Sequence, residues 1–163
     1  MGLLTEALRA WIGREVTYHA PDEIGRASIR YFATALGDNN PLHRNDDYAR
    51  AAGHAEVIAP PTFICETCQY VDSVPDENGY VGHSWDLPLS GCRMIRVGND
   101  YEFHQAALAG TVLTVTWMLE SVGERSYSKG GTQLFVVSVA RYYDQHANAL
   151  ATNRETTVYQ PLT

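Results

Sequence analysis

Lysine is almost missing from this chain. Of 12 basic residues only Lys129 is a lysine, and the rest are arginines. They are outnumbered by 19 carboxylates, for a formal net charge of -7. No stretch gathers the positive charge, which argues against nucleic acid and anionic membrane as partners. Any anionic ligand must meet individual arginines or backbone N–H groups. Long apolar runs are missing too, none approaching the ~18 residues of a membrane span. Residues 1–11 carry Glu6 and Arg9 inside an apolar pattern, with no basic leader and no cleavage site. No secretion signal is expected, and the cytoplasm is the default compartment. Cysteine is scarce: Cys65, Cys68 and Cys92. Cys65-Glu66-Thr67-Cys68 has the C-x-x-C spacing, but no second pair completes a zinc site, so the thiols read as buried and inert and no metal site is expected.

What is present is 163 residues, 45% of them hydrophobic, enough for one core and a single domain over 1–163. Leu3, Leu4, Leu8 and Trp11 suit a short opening helix ended by Gly13, and residues 14–20 read as a strand punctuated by Pro21-Asp22. Ile29, Phe32, Ala33 and Leu36 recur at i, i+3, i+4 and i+7, an amphipathic helix over 26–36 that Gly37 ends. Asn45 is a good cap for a second short helix, with Asp46 and Asp47 in its first turn. Pro60-Pro61 opens a third, over 62–71, whose Phe63, Ile64, Cys65, Cys68 and Val71 cover most of its circumference. Apolar on most sides, it is expected to be a buried central helix. A long loop follows over 75–91. Strands are then expected over 92–105, 112–122, 133–144 and 149–159, with Leu113, Val115, Trp117 and Leu119 sharing a face. The expected class is α+β, an antiparallel sheet wrapped around a central helix.

Between the first two amphipathic helices lies Gly37-Asp38-Asn39-Asn40-Pro41-Leu42-His43. Asp38 and His43 are five apart, a spacing that shares no helix face. Pro41 drives Asn40 out of helical geometry. The run is therefore a fixed loop able to aim a carboxylate and an imidazole at one point, as general acid/base chemistry requires. Taken singly, each has a plainer reading: an aspartate after a glycine makes turns, and a histidine can sit on the surface. His104 reads as a sheet residue, and His19, His54, His83 and His146 as solvated.

The run from Tyr31 to His43 resembles the signature of the MaoC-like dehydratase/hydratase family, an aromatic residue followed by G-D-x-N-P-[LIV]-H. Trp11-Ile12-Gly13-Arg14-Glu15, residues 59–63 and Arg154-Glu155-Thr156 resemble the N-terminal-type MaoC dehydratase domain. The resemblance implies a single hotdog fold. It also implies (R)-specific hydration of a 2-enoyl thioester, or dehydration of a 3-hydroxyacyl thioester, carried on coenzyme A or acyl carrier protein, with no other cofactor. Asp38 and His43 would be the catalytic pair. Asn40, Thr62, Phe63 and Trp85 would be the substrate-binding residues. The resemblance also raises an alternative, a non-catalytic acyl-thioester-binding subunit of a heteromeric dehydratase, because some members of that subfamily are silent partners. A hotdog thioesterase fits the loop less well. In the family His-Gly commonly stands where this chain has Ala59-Pro60, and proline has no N–H for an oxyanion. The donor would then be Thr62, Phe63 or another segment. One hotdog unit leaves an edge or face uncovered, so a homodimer or a heterodimer with a second hotdog subunit is expected.

Overall fold

The computed structural model describes residues 2–65, 68–76, 79–127 and 131–162. The elements run in the order α1 (Glu6–Arg9), β1 (Glu15–Glu23), α2 (Arg26–Ala35), a 3₁₀ turn (Pro41–His43), α3 (Asp46–Ala51), two further 3₁₀ turns (Pro61–Ile64 and Cys68–Tyr70), and then β2 (Cys92–Phe103), β3 (Val112–Tyr127), β4 (Gly131–Tyr143) and β5 (Ala149–Pro161). All the strands join one sheet in the order β1-β3-β4-β5-β2, antiparallel throughout. This is the α+β hotdog architecture that the sequence implied.

Alternation builds the inner face. Leu113, Val115, Trp117 and Leu119 on β3 are all buried. The β4–β5 register pairs Leu134 with Tyr159, Val136 with Thr157 and Ser138 with Glu155, so both strands continue that face. β3 runs past its expected end at Val122 to Tyr127, and β1 runs through Pro21 to Glu23 with its register broken after His19. A proline on an edge strand costs no ladder hydrogen bond if its missing N–H faces away from the partner.

The central segment differs from expectation in form. It forms two 3₁₀ turns, of which Cys68–Tyr70 lies against β1 and β3, with residues 66–67 outside the described residues. The side chain of Cys68, half of the C-x-x-C reading, is also outside them. Three features explain the tighter geometry. Pro60 and Pro61 supply no N–H. Phe63 N–H closes an i→i+3 bond to Pro60 O at 2.9 Å. The Gln69 amide donates to both Ile64 O (3.0 Å) and Cys65 O (3.2 Å), taking carbonyls that a continuing helix would have used. Val71, expected in the core, is 60% exposed. Tyr70 anchors the segment, fully packed and accepting from Trp117 Nε1 at 2.7 Å.

The loop over 75–91 overturns one reading. His83, expected to be solvated, is 3% exposed. Its ring stacks on Trp117, meets Trp85 edge-on and bonds Tyr18 Oη through Nδ1 at 3.0 Å. Arg96 on β2 fastens the loop from the other side, donating to His83 O (3.1 Å) and Tyr80 Oη (2.7 Å) and pairing with buried Glu155 at 3.1 Å. A Cβ at Gly82 would run into the Tyr80 phenol, which would have to move aside. At the sheet edge β2 leaves Ile95, Val97 and Phe103 partly open.

Candidate active site

Three short elements hold the aspartate and the histidine. α2 buries Ile29 and Ala33 and packs Phe32 edge-on against Phe63, 5.0 Å between centroids. Leu36, expected on that buried face, caps the helix and is 60% exposed. Gly37 then takes φ 71°, a left-handed turn that a side chain would strain, and Asp38 N–H reaches back to Ala33 O at 2.8 Å. The carboxylate of Asp38 accepts from Asn40 N–H (2.8 Å), and the Asn40 side chain accepts from Leu42 N–H (3.1 Å). Asn40 thus caps the 3₁₀ turn that carries His43. Beyond it Asn45 caps α3 by accepting from Tyr48 N–H. Asp46 clamps α3 to the next segment, accepting from Val57 N–H and pairing with Arg26, whose hydrogen bond holds its carboxyl below the usual range.

His43 is 4% exposed. Its Nδ1 lies 2.8 Å from Ile58 O. A carbonyl only accepts, so Nδ1 carries the proton. Nε2 is thereby aimed at Asp38 Oδ2, 3.2 Å away. Nε2 and Oδ2 are close enough that one water molecule standing beside them can contact both. The Asp38 side chain is 38% exposed, so the pair has a buried member and a solvent-facing one. This is the geometry of a proton relay: a ring nitrogen oriented from behind, its lone pair directed at a carboxylate and solvent. No signal in the sequence pointed to Ile58, because it works through its backbone carbonyl.

One cavity is lined by Ile58, the partner of the imidazole, and another by His43 itself. The first, about 210 Å³, has Ile58, Ala59, Pro61, Ile64, Phe103 and Ala107 among its walls. It shares Ile58 with the His43 hydrogen bond, but neither Asp38 nor His43 lines it. The second, about 40 Å³, is lined by His43 itself with Arg26, Arg30, Arg44 and Val57.

The other residues read as substrate contacts separate. Thr62 is exposed beside the larger cavity. Phe63 is packed against Phe32, and its N–H is spent within the 3₁₀ turn, so it is no oxyanion donor in this conformation. Among the described residues of 60–63, Thr62 alone keeps an N–H without a backbone acceptor. Trp85 lies in the core, not at a cavity wall, because its indole N–H is drawn to Ser138 Oγ at 2.8 Å and its ring meets Trp11 and His83. Three arginines that an anionic carrier could meet are otherwise engaged: Arg93 with Gln160, Arg96 with Glu155, Arg125 over Phe135. Lys129 lies outside the described residues. Cys65 and Cys92 are free thiols, and no helix among the described residues is long and apolar enough to cross a membrane.

Residues 10–153 match the family model described as FAS1-like, dehydratase domain region. A UPF0336 protein of Parafrankia sp. is 36% identical over 112 residues, covering 69% of this chain and 70% of that protein. A probable enoyl-CoA hydratase alpha subunit of Thermomonospora curvata is 26% identical over 155 residues, covering 90% of this chain and 49% of that subunit. Among solved structures, a chain of the ChsH1–ChsH2 complex of Mycobacterium tuberculosis superposes with a TM-score of 0.70 at 22% identity, covering 91% of this chain and 85% of that one.

Proposed function

From the premise that the chain belongs to the FAS1-like, MaoC-like dehydratase family, we propose that it hydrates 2-enoyl thioesters with (R) stereochemistry, or dehydrates 3-hydroxyacyl thioesters. The observation that carries this reading is the Asp38–His43 pair at 3.2 Å, with the histidine tautomer fixed by Ile58 O.

In hydration, Asp38 accepts a hydrogen bond from a water molecule while Nε2 of His43 takes its proton and the oxygen adds to C3. The proton then returns from the pair to C2. Dehydration is the reverse. Each such acid/base role is typically worth ~10²- to 10⁴-fold. Asn40 keeps the loop in order, its N–H on the Asp38 carboxylate and its side chain on Leu42 N–H. The enolate oxygen that develops needs an N–H donor. Thr62 is the candidate within this chain. The family match supports the dehydratase class of reaction.

A second reading is favoured by a specific observation. Pro60 and Pro61 offer no N–H and Phe63 N–H is already used. Among the described residues of 60–63 only Thr62 is left as an oxyanion donor, which suits a subunit whose partner, a different hotdog protein, completes the site. The fold neighbour is itself part of a two-protein complex. The open β2 edge is where strands of a second hotdog subunit would continue the sheet. Purified chain alone, assayed with a series of enoyl-CoA esters by loss of enoyl absorbance, tests the two. Turnover without a partner eliminates the subunit reading. Absence of turnover, restored by co-expression with a second hotdog protein, eliminates the self-sufficient one. Loss of activity on both arms removes the hydratase reading altogether.

A further inference from the structure

We propose that Arg44 is a positioning residue for the Asp38–His43 pair, an inference that rests on the reading above and names what keeps the two ends of the loop at their working separation. Arg44 directly follows His43, and its own N–H closes the turn onto Pro41 O at 3.1 Å. Its guanidinium reverses direction and donates through Nη2 to the backbone carbonyl of Asp38 at 2.8 Å and to Thr34 Oγ1 at 3.4 Å. One side chain thus spans the loop from the residue after the histidine to the aspartate itself. Thr34 Oγ1 in turn donates to Arg30 O at 2.7 Å, so the anchor reaches the last turn of α2.

Two observations mark this as a commitment of the side chain. α2 has no basic residue in its own last turn. A helix C-terminus leaves carbonyls unsatisfied and favours a cation there, and Arg44 supplies one from outside the helix. In addition, Arg26 and Arg50 nearby pair with carboxylates, whereas Arg44 makes no carboxylate contact among the described residues of this acidic chain. Its donors go to the loop. Both bonds leave from the one nitrogen, Nη2, so the bridge rests on a single donor group at the end of a long side chain. Arg44 also lines the small cavity against His43 with Arg26, Arg30 and Val57, so its head stays beside the ring it helps to register. Misplacing an acid/base pair by about 1 Å can cost ~10²-fold. A residue that holds the separation therefore acts on rate and not on substrate affinity.

The test uses Arg44→Met, Arg44→Lys and Arg44→Met combined with Asp38→Asn, assayed on a short 2-enoyl-CoA. Arg44→Met is expected to lower kcat about tenfold with KM within about twofold. Arg44→Lys should recover most of the loss, since its ammonium still reaches one acceptor. In the Asp38→Asn background Arg44→Met should add nothing, because the group it positions is already gone. A raised KM with unchanged kcat, or a full second loss in that background, overturns the inference. A crystal structure of Arg44→Met gives an answer independent of turnover. The Asp38 Oδ2–His43 Nε2 distance should open beyond about 3.5 Å, and a pair still at 3.2 Å overturns the inference. An opened pair in a chain that never turns over enoyl-CoA leaves the positioning role standing and the hydratase reading fallen.

Discussion

Nδ1 of His43 donates to the carbonyl of Ile58 at 2.8 Å, and that single bond decides which ring nitrogen faces Asp38. Ile58 N–H in turn donates to Leu42 O at 3.1 Å, so the segment that orients the ring is tied to the loop that carries it. The imidazole of His43 is thus held by backbone of the loop that carries it and of the segment that faces it.

Asn40 lies within that loop. Replacing it with alanine removes the acceptor for Leu42 N–H and loosens the turn. Loss of such a cap costs about 1 kcal/mol. Asn40→Ala should lower the urea midpoint correspondingly and reduce kcat more than KM. Unaltered stability and kinetics would show that the turn stands without its cap.

His83 governs acid stability. Burial, with Arg96 nearby, lowers its pKa from 6.5 to about 3. The folded state therefore refuses a proton that the unfolded chain accepts below about 6.5. Stability from this residue is fully present above that pH and is lost as pH falls from 6.5 toward 3, by up to about 1.4 kcal/mol per pH unit. His83→Phe keeps the stack on Trp117 and removes the titration. Its unfolding free energy should fall less steeply with acid than that of the wild type. Parallel pH curves would refute the assignment.

Glu155 is 6% exposed and faces Arg96 at 3.1 Å. Glu155→Ala removes the carboxylate that pairs with this guanidinium beneath the 80–85 segment. Breaking a buried pair typically costs about 3 kcal/mol. Half that is a fair expectation where the arginine keeps partial solvent contact, and the value would be read from chemical denaturation. A neutral result would mean that Arg96 is held firmly enough by its remaining partners, Tyr80 and the His83 carbonyl among them.

Local chemistry explains what the sequence could disclose. Leu113, Val115, Trp117 and Leu119 share a face because strand geometry alternates, whatever lies opposite. Gly37, the Asn45 cap and the Asp38–His43 loop are settled within a few residues of themselves. His83 was misread because its environment comes from Tyr18 and Trp117, which the fold brings from opposite ends of the chain. Trp85 was read as a pocket wall for the same reason: Ser138, the partner of its indole, is 53 residues away. The central segment departed from a helix because Gln69, a polar residue in an apolar pattern, takes the backbone carbonyls. Ile58 and Arg44 left no signal, one acting through a carbonyl and the other through a bond to one.

The most direct measurement is the rate of crotonyl-CoA hydration by Asp38→Asn and His43→Ala beside the wild-type chain, each with any partner subunit the wild type requires. The account predicts at least a ~10²-fold loss in kcat for each, with the far-ultraviolet spectrum and unfolding midpoint little changed. Wild-type turnover that survives in both variants would contradict it.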